Sequence, residues 1–332
     1  MAEGESAEKP LFSFGVVADI QYADKDTRTS SDGRQQRYRE APGKLAAAVA
    51  AFNEAQPLLS AVVTLGDIVD GRDTEESTLE DFRVVLGELA KLHVPTVHHT
   101  LGNHCLYVPR DILLSSLALA HPFYSAALPA NWRLLVLDSM DVSLKWPCDS
   151  ENYQAAEAFL ETQHAAGKEG DNLVPWNGAV GRAQMDWLRQ QLKHAEEQGE
   201  RVVVALHHPV AVGSAPDDLL AWNHAEICQL LVDSPPVALV LAGHYHPGGY
   251  VCMGGTHFLT LEAILEAPEG SDAHGIMDVY SDRIELRGYG FVESRVFRLD
   301  EGNATTTGSS TSVEATEIPP AEEDCTVAPE LV

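Results

Sequence analysis

Five short apolar runs in this chain each stop at a cluster of Asp, Asn, His, Gln or Gly, and that recurrence limits the available folds more than any other feature. Phe12 to Ala18 leads into Asp19-Ile20-Gln21, and Ala61 to Leu65 into GDIVDG, Gly66 to Gly71. Thr96 to Thr100 leads into GNH, Gly102 to His104; Val202 to Leu206 into His207-His208-Pro209; Val237 to Ala242 into GHYH, Gly243 to His246. With Trp132 to Leu137 these runs have the length of strands, and most are rich in Val. Helical patterns lie between them. Leu45, Ala48, Val49 and Phe52 repeat at i, i+3, i+4, i+7, and Met185, Leu188 and Leu192 mark an amphipathic helix that stops at Gly199. Strand alternating with helix predicts an α/β fold, in which the carboxyl ends of the strands face the binding crevice. The polar clusters scattered from Asp19 to His246 are thereby expected to meet at one point.

After Gly255 the runs His257 to Leu261, Gly275 to Tyr280 and Arg283 to Tyr289 follow one another with turns only. The second half of the chain is therefore expected to build an antiparallel-rich sheet. Two packed mixed β-sheets flanked by helices accommodate both halves. Between Trp146 and Gly181 a helical stretch, Tyr153 to Gln163, leads into GKEGDNLVPWNGAVG, which reads as a lid or substrate loop or as a plain surface insertion.

Charge narrows the function. With 50 acidic against 22 basic residues the net charge is −28, a field that repels nucleic-acid backbones and anionic membranes. Neither is expected as a partner. No apolar run reaches the roughly 18 residues of a membrane span. Glu3, Glu5 and Glu8 stand where a leader peptide needs positive charge, so the default location is cytoplasmic. Five cysteines without a CxxC pair argue against a disulfide framework or a zinc ribbon. From Glu301 onward the chain has seven carboxylates, no Lys or Arg and few large apolar residues, a composition that does not repay the entropy of ordering. The expected organisation is a flexible N-terminus over 1–10, one domain over 11–299 and a disordered acidic Ser/Thr-rich tail over 300–332. Asn303-Ala304-Thr305 reads as a chance glycosylation sequon. A monomer is the default oligomeric state.

Convergence would gather oxygen and imidazole donors without thiolate, a set suited to Mn²⁺, Fe²⁺ or Zn²⁺. The donors exceed the need of one ion. Two ions about 3.5–4 Å apart need a shared carboxylate, and Asp67 in GDIVDG is the natural bridge. One ion would then take Asp19, Gln21, Asp67 and His246, and the other Asp67, Asn103, His207 and His244. Taken alone, GDIVDG is an ordinary turn and Asp19 a helix cap; the joint order of five motifs is what points to a metal centre. Of the tandem His207-His208, one is the expected ligand and the other a packed neighbour.

In this order DxQ, GDxxDG, GNH, a His before xP and GHxH resemble the metallophosphoesterase (calcineurin-like) superfamily. Gln21 replaces the commoner His. That change, with His98-His99-Thr100, AWNH (Ala221 to His224), AGHYHPGGY (Ala242 to Tyr250) and LEAILEAP (Leu261 to Pro268), resembles the manganese-dependent ADP-ribose/CDP-alcohol diphosphatases over Phe14 to Arg298. The resemblance implies a four-layer α/β/β/α sandwich and two divalent ions per chain, Mn²⁺ first and Fe²⁺, Zn²⁺ or Mg²⁺ as alternatives. It implies cleavage of ADP-ribose and CDP-alcohols such as CDP-choline to a nucleoside monophosphate plus a phosphorylated sugar or alcohol. Cys105 stands where the family usually places a Glu after GNH.

A hydroxide bridging two divalent ions is placed for attack on phosphorus without any protein nucleophile. His104, beside Asn103, is the catalytic candidate, hydrogen-bonding the attacked phosphoryl group or the leaving oxygen. The amide oxygen of Gln21 is a harder donor than imidazole and favours Mn²⁺ over Zn²⁺. Candidate substrate contacts are Arg37, Tyr38, Trp222, Asn223 and Tyr245; Arg34 and Arg39 share the basic segment with Arg37, and Tyr22 is another candidate to stack on a base. The same centre would equally serve a cyclic-nucleotide phosphodiesterase or a phosphoprotein phosphatase. A non-catalytic interaction module of this fold would be expected to have lost ligands or His104, and none is missing.

Overall fold

A computed structural model of the chain describes residues 8–165, 167 and 170–299. The tail expected over 300–332, with the Asn303 sequon, and most of the flexible N-terminus expected over 1–10 lie outside the described residues. The chain opens with β1 (Phe12–Val17), a two-residue-per-arm hairpin of β2 (Arg28–Thr29) and β3 (Gln35–Gln36), and α1 (Ala41–Glu54). Then come β4 (Ala61–Thr64), α2 (Glu75–Leu89), β5 (Val97–His99), α3 (Arg110–Ser116), β6 (Tyr124–Leu128) and β7 (Trp132–Val136). Two helices, α4 (Glu151–Ala165) and α5 (Arg182–Gln198), precede β8 (Arg201–Ala205), α6 (His224–Val232) and β9 (Val237–Ala242). The last strands are β10 (Gly249–Met253), β11 (Thr256–Thr260), β12 (Ala273–Val279), β13 (Arg283–Gly290) and β14 (Arg295–Arg298).

Two six-stranded mixed sheets result, ordered β14-β13-β12-β1-β4-β5 and β10-β11-β9-β8-β7-β6. In the first, β1, β4 and β5 run parallel; in the second, β7, β8, β9 and β11 do. The expectation of one antiparallel-rich sheet from the second half of the chain is corrected here. β11 inserts parallel to β9, whereas β12, β13 and β14 cross to the other sheet and continue it antiparallel from β1. The apolar pattern specifies that each strand is buried but not which edge it joins.

Side chains alternate between the layers because strand periodicity is two. Leu134, Val136, Val203, Ala205, Leu239 and Leu241 point to the core shared with the first sheet, which includes Phe12, Phe14 and Val16. Their neighbours Leu135, Val202, Val204 and Val240 face the other way, onto Met185, Leu188 and Leu192 of α5 and Ile227 and Leu231 of α6. On the outer side of the first sheet, Gly15 lets the Phe52 ring of α1 lie against β1; a Cβ there would sit 2.8 Å from it. α5 ends where Gly199 takes the left-handed conformation at φ 64°. Among the described residues no helix is long and apolar enough to cross a membrane.

Candidate metal centre

The parallel strands β1, β4, β5, β8 and β9 all deliver their carboxyl ends to one place, and the residues just beyond those ends form a single cluster. Four of them have left-handed backbones although none is glycine: Asp19 (φ 49°), Gln21 (42°), Asp67 (46°) and His244 (69°). Such conformations cost of order 1–3 kcal/mol each and persist where surrounding structure over-determines them. Here they turn the side chains inward at the strand ends. The flanking glycines leave the room. A Cβ on Gly102 would sit 2.1 Å from Asp67 Oδ1, and one on Gly243 2.5 Å from Asp19 Oδ2.

Asp67 is the hub and is wholly buried. Its Oδ1 accepts the His104 amide at 2.8 Å, and its Oδ2 lies 2.9 Å from Gln21 Nε2 and 3.3 Å from His207 Nε2. Asp19, also buried, accepts the His244 amide at 3.0 Å and lies 3.6 Å from His246 Nε2. Ligand atoms of Asp19, Asp67 and His207 fall within 4.8 Å of one another, as do those of His207, His208 and His244.

Each of the three outer imidazoles has one nitrogen tied to an acceptor outside the cluster, which fixes which nitrogen carries the proton. His207 Nδ1 donates to the Leu65 carbonyl at 2.8 Å. Its Nε2 therefore faces Asn103 Oδ1 at 3.2 Å and Asp67 Oδ2, two oxygens that hold a proton on that nitrogen and that would serve a divalent cation in the proton's place. The Asn177 amide nitrogen donates to the carbonyls of Asn172, Asp218 and Leu220, so its oxygen accepts from His244 Nε2 at 3.0 Å and leaves His244 Nδ1 unprotonated. His246 Nδ1 donates to Glu266 at 2.8 Å. The donor set thus fits divalent cations.

Electrostatics follow the same geometry. Burial works against charge on His207, yet Asp67 beside it pushes its pKa up to about 9. Burial also opposes ionisation of Asp67, but His207 and His104 hold that carboxyl well below the usual range. Burial likewise disfavours a charged His246, and Asp19 and Glu266 overcome it, raising the ring to about 10. His244 is driven well below its ordinary value by burial and by His208 and His207. His208 is also buried, with Nδ1 2.8 Å from the Ser139 hydroxyl and an Nε2 that has no hydrogen-bond partner among the described residues.

His104 stands at the edge, its Nδ1 2.9 Å from the Asp70 carbonyl and 3.2 Å from the Asp70 carboxylate. Lys25 donates to that carboxylate at 2.7 Å. A cleft of about 410 Å³ opens over the cluster, lined among others by Lys25, Arg28, Tyr38, His104, Trp176 and His246. Of the candidate substrate contacts, Tyr38 is among the lining residues. Arg37, Trp222, Asn223 and Tyr245 are not among the lining residues. Trp222 is buried against Phe159 and Asn223 is bonded through its amide to the Val180 backbone, because the Gly-rich loop packs over both. Arg37 bonds the Gln35 carbonyl, Arg34 pairs with Asp32 and Glu266, and Arg39 pairs with Asp24 and Asp26. Lys25 and Arg28 are the Lys and Arg residues that line the cleft. Trp176 and Asn177 show that the Gly-rich excursion belongs to the site rather than to a plain surface insertion. Cys105 is a buried thiol pushed up to about 12 by burial and Asp67, so it offers no acid in place of Glu.

A family model for calcineurin-like phosphoesterases matches residues 12–248, and the chain belongs to that class. More narrowly, it is 36% identical to the manganese-dependent ADP-ribose/CDP-alcohol diphosphatase of Arabidopsis thaliana, over 89% of this chain and 99% of that protein. It is 32% identical to the enzyme of the same description from Mus musculus, over 90% of this chain and 96% of that protein. The chain is thus a member of the manganese-dependent ADP-ribose/CDP-alcohol diphosphatase family. A crystal structure of a dimetal phosphatase from Danio rerio superposes with a TM-score of 0.79 at 31% identity, covering 88% of this chain and 100% of that one.

Proposed function

We propose that the chain is a hydrolase of nucleoside diphosphate esters, cleaving the diphosphate of ADP-ribose and CDP-alcohols to release a nucleoside monophosphate. The observation that carries the substrate class is the cleft: Lys25 and Arg28 stand beside a donor set for cations and beside His104, which suits two adjacent phosphates better than one. Asp19, Gln21, Asp67 and His246 would hold one ion, and Asp67, Asn103, His207 and His244 the other. Two divalent ions bound there supply an activated water and neutralise the charge that builds on the phosphoryl oxygens.

The protein's own groups do the rest. Asp70 anchors His104 through Nδ1, which aims Nε2 at the phosphoryl or leaving oxygen. The leaving group is a phosphate monoester, a weak base, so little proton assistance is needed. Lys25 and Arg28 would hold the second phosphate, and the exposed ring of Trp176 offers a stacking face. The reading extends to one catalytic domain over 11–299, cytoplasmic and monomeric by default, with no nucleic-acid partner in view of the charge of −28.

The test is nucleoside monophosphate release from ADP-ribose, CDP-choline and cyclic AMP, each in Mn²⁺ and in Mg²⁺. AMP and CMP from the first two, faster in Mn²⁺, is the expected result. Preferential hydrolysis of cyclic AMP would replace this reading with a cyclic-nucleotide phosphodiesterase.

A further inference from the structure

Glu266 is a buried carboxylate placed between two elements that have no other reason to be joined. Its Oε1 accepts from His246 Nδ1 at 2.8 Å, and its Oε2 accepts from Arg34 Nη1 at 2.7 Å. Arg34 belongs to the β2–β3 hairpin and reaches Asp32 in the hairpin turn through Nε at 2.6 Å. Arg28 and Gln36 of the same hairpin line the cleft. The backbone beside Glu266 is fastened at both ends: Leu265 N donates to the Asp19 carbonyl at 3.1 Å, and Leu265 O accepts from Arg37 N at 3.0 Å. One short segment therefore touches Asp19, His246 and the root of the hairpin.

We infer that Glu266 is a positioning residue that couples ion binding at His246 to ordering of the β2–β3 hairpin over the cleft. The inference rests on the assignment of His246 as a ligand made above. A carboxylate on the far nitrogen of a ligating imidazole fixes its tautomer and orientation and raises its basicity. Here the same carboxylate also holds Arg34, so an ion that fixes the His246 ring fixes the Glu266 side chain and with it the anchor of the hairpin. Coupling of this kind is reciprocal: what orders the hairpin also strengthens ion binding. The hairpin is short, with only two residue pairs between its strands, so outside anchors matter to it.

The experiment measures Mn²⁺ stoichiometry and affinity from the paramagnetic resonance of free Mn²⁺. Alongside it, hydrogen exchange is followed at the amides of residues 28–36 with and without Mn²⁺, in the full chain and its variants. In the wild type, Mn²⁺ should slow exchange across the hairpin. Glu266→Ala should weaken one of the two ions about 10–100-fold and abolish that slowing. Glu266→Gln keeps an oxygen for His246 but not the charge for Arg34; it should bind Mn²⁺ more tightly than Glu266→Ala while still losing the slowing. Arg34→Met should lose the slowing as well. If Glu266→Ala does not fold, Glu266→Gln and Arg34→Met carry the test. The inference is overturned if folded Glu266→Ala binds both ions as the wild type does, or if Mn²⁺ slows hairpin exchange equally in Glu266→Gln and Arg34→Met. His246→Ala separates the two levels. Should it bind both ions normally, the ligand assignment itself is wrong; should it lose one ion while Glu266→Ala does not, only the positioning role falls.

Discussion

Asp67 uses both carboxylate oxygens within the site, one toward the His104 amide and the other toward Gln21 and His207. Asp67→Ala is expected to lose both ions and all phosphohydrolase activity while keeping its far-ultraviolet circular dichroism; two ions bound per chain with measurable turnover would contradict the bridging assignment. Gly102→Ala probes the same carboxylate without removing it. The added methyl would drive into Asp67 Oδ1, and a displacement near 1 Å at a reacting centre costs about 10²-fold, to be read in kcat/KM. Gln21→His restores the commoner ligand of the superfamily and should weaken the preference for Mn²⁺ over Zn²⁺, measured as the ratio of activities in the two metals. The residues at the strand ends were legible because the motif order and the apolar runs before them point to one crevice. Asn177, Glu266 and the Leu65 carbonyl were not, since each acts through a partner remote in sequence and no local pattern marks an acceptor for an imidazole proton. Lys25 and Arg28 are not legible either, because each stands singly among polar residues and Asp24 and Asp26, whereas the clustered cations around Arg37 pair with neighbouring carboxylates and carbonyls instead of facing the cleft.

At the scale of elements, periodicity located β1, β4, β7, β8 and β9 to within a residue or two, and Gly199 marked the end of α5. What it left open was pairing. β12 could have followed β11 in the same sheet, and only three-dimensional packing sends it to β1. Apolar periodicity does not single out α2, whose start is marked instead by its cap: Thr74 accepts from Ser77 N, with Glu75 and Glu76 in the first turn. Packing of α5 onto the second sheet depends on fully buried Leu188, and Leu188→Ala should lower stability by about 2–5 kcal/mol in urea titration. In β5, burial lowers the His99 ring from 6.5 to about 4, with Thr64 bonded to its Nδ1. The unfolded chain then binds the extra proton first, so stability is intact above pH 6.5 and falls as pH drops toward 4, by about 3 kcal/mol over the window. His99→Gln should lose less stability than the wild type between those two pH values, compared by urea midpoints.

For the molecule as a whole, the charge of −28 repels an anionic substrate at long range while Lys25 and Arg28 attract it within the cleft. Salt screens the first over a Debye length of about 8 Å and touches the second less, so kcat/KM for ADP-ribose should rise as ionic strength is raised from low values. Seven of the carboxylates lie in residues 301–332. Removing that segment should leave the melting temperature unchanged and reduce the salt dependence, measured by calorimetry and initial rates at two salt concentrations. The strand order has a different kind of consequence. β1 lies between β4 and β12, and three of the six strands of its sheet, β12 to β14, are the last to be made. A ribosome adding about 5–20 residues per second thus holds a nascent chain whose first strand has one open edge until residues beyond 273 emerge. Residues 273–298 are in this sense a closing seam, and premature termination ahead of them leaves that edge free to pair with another chain.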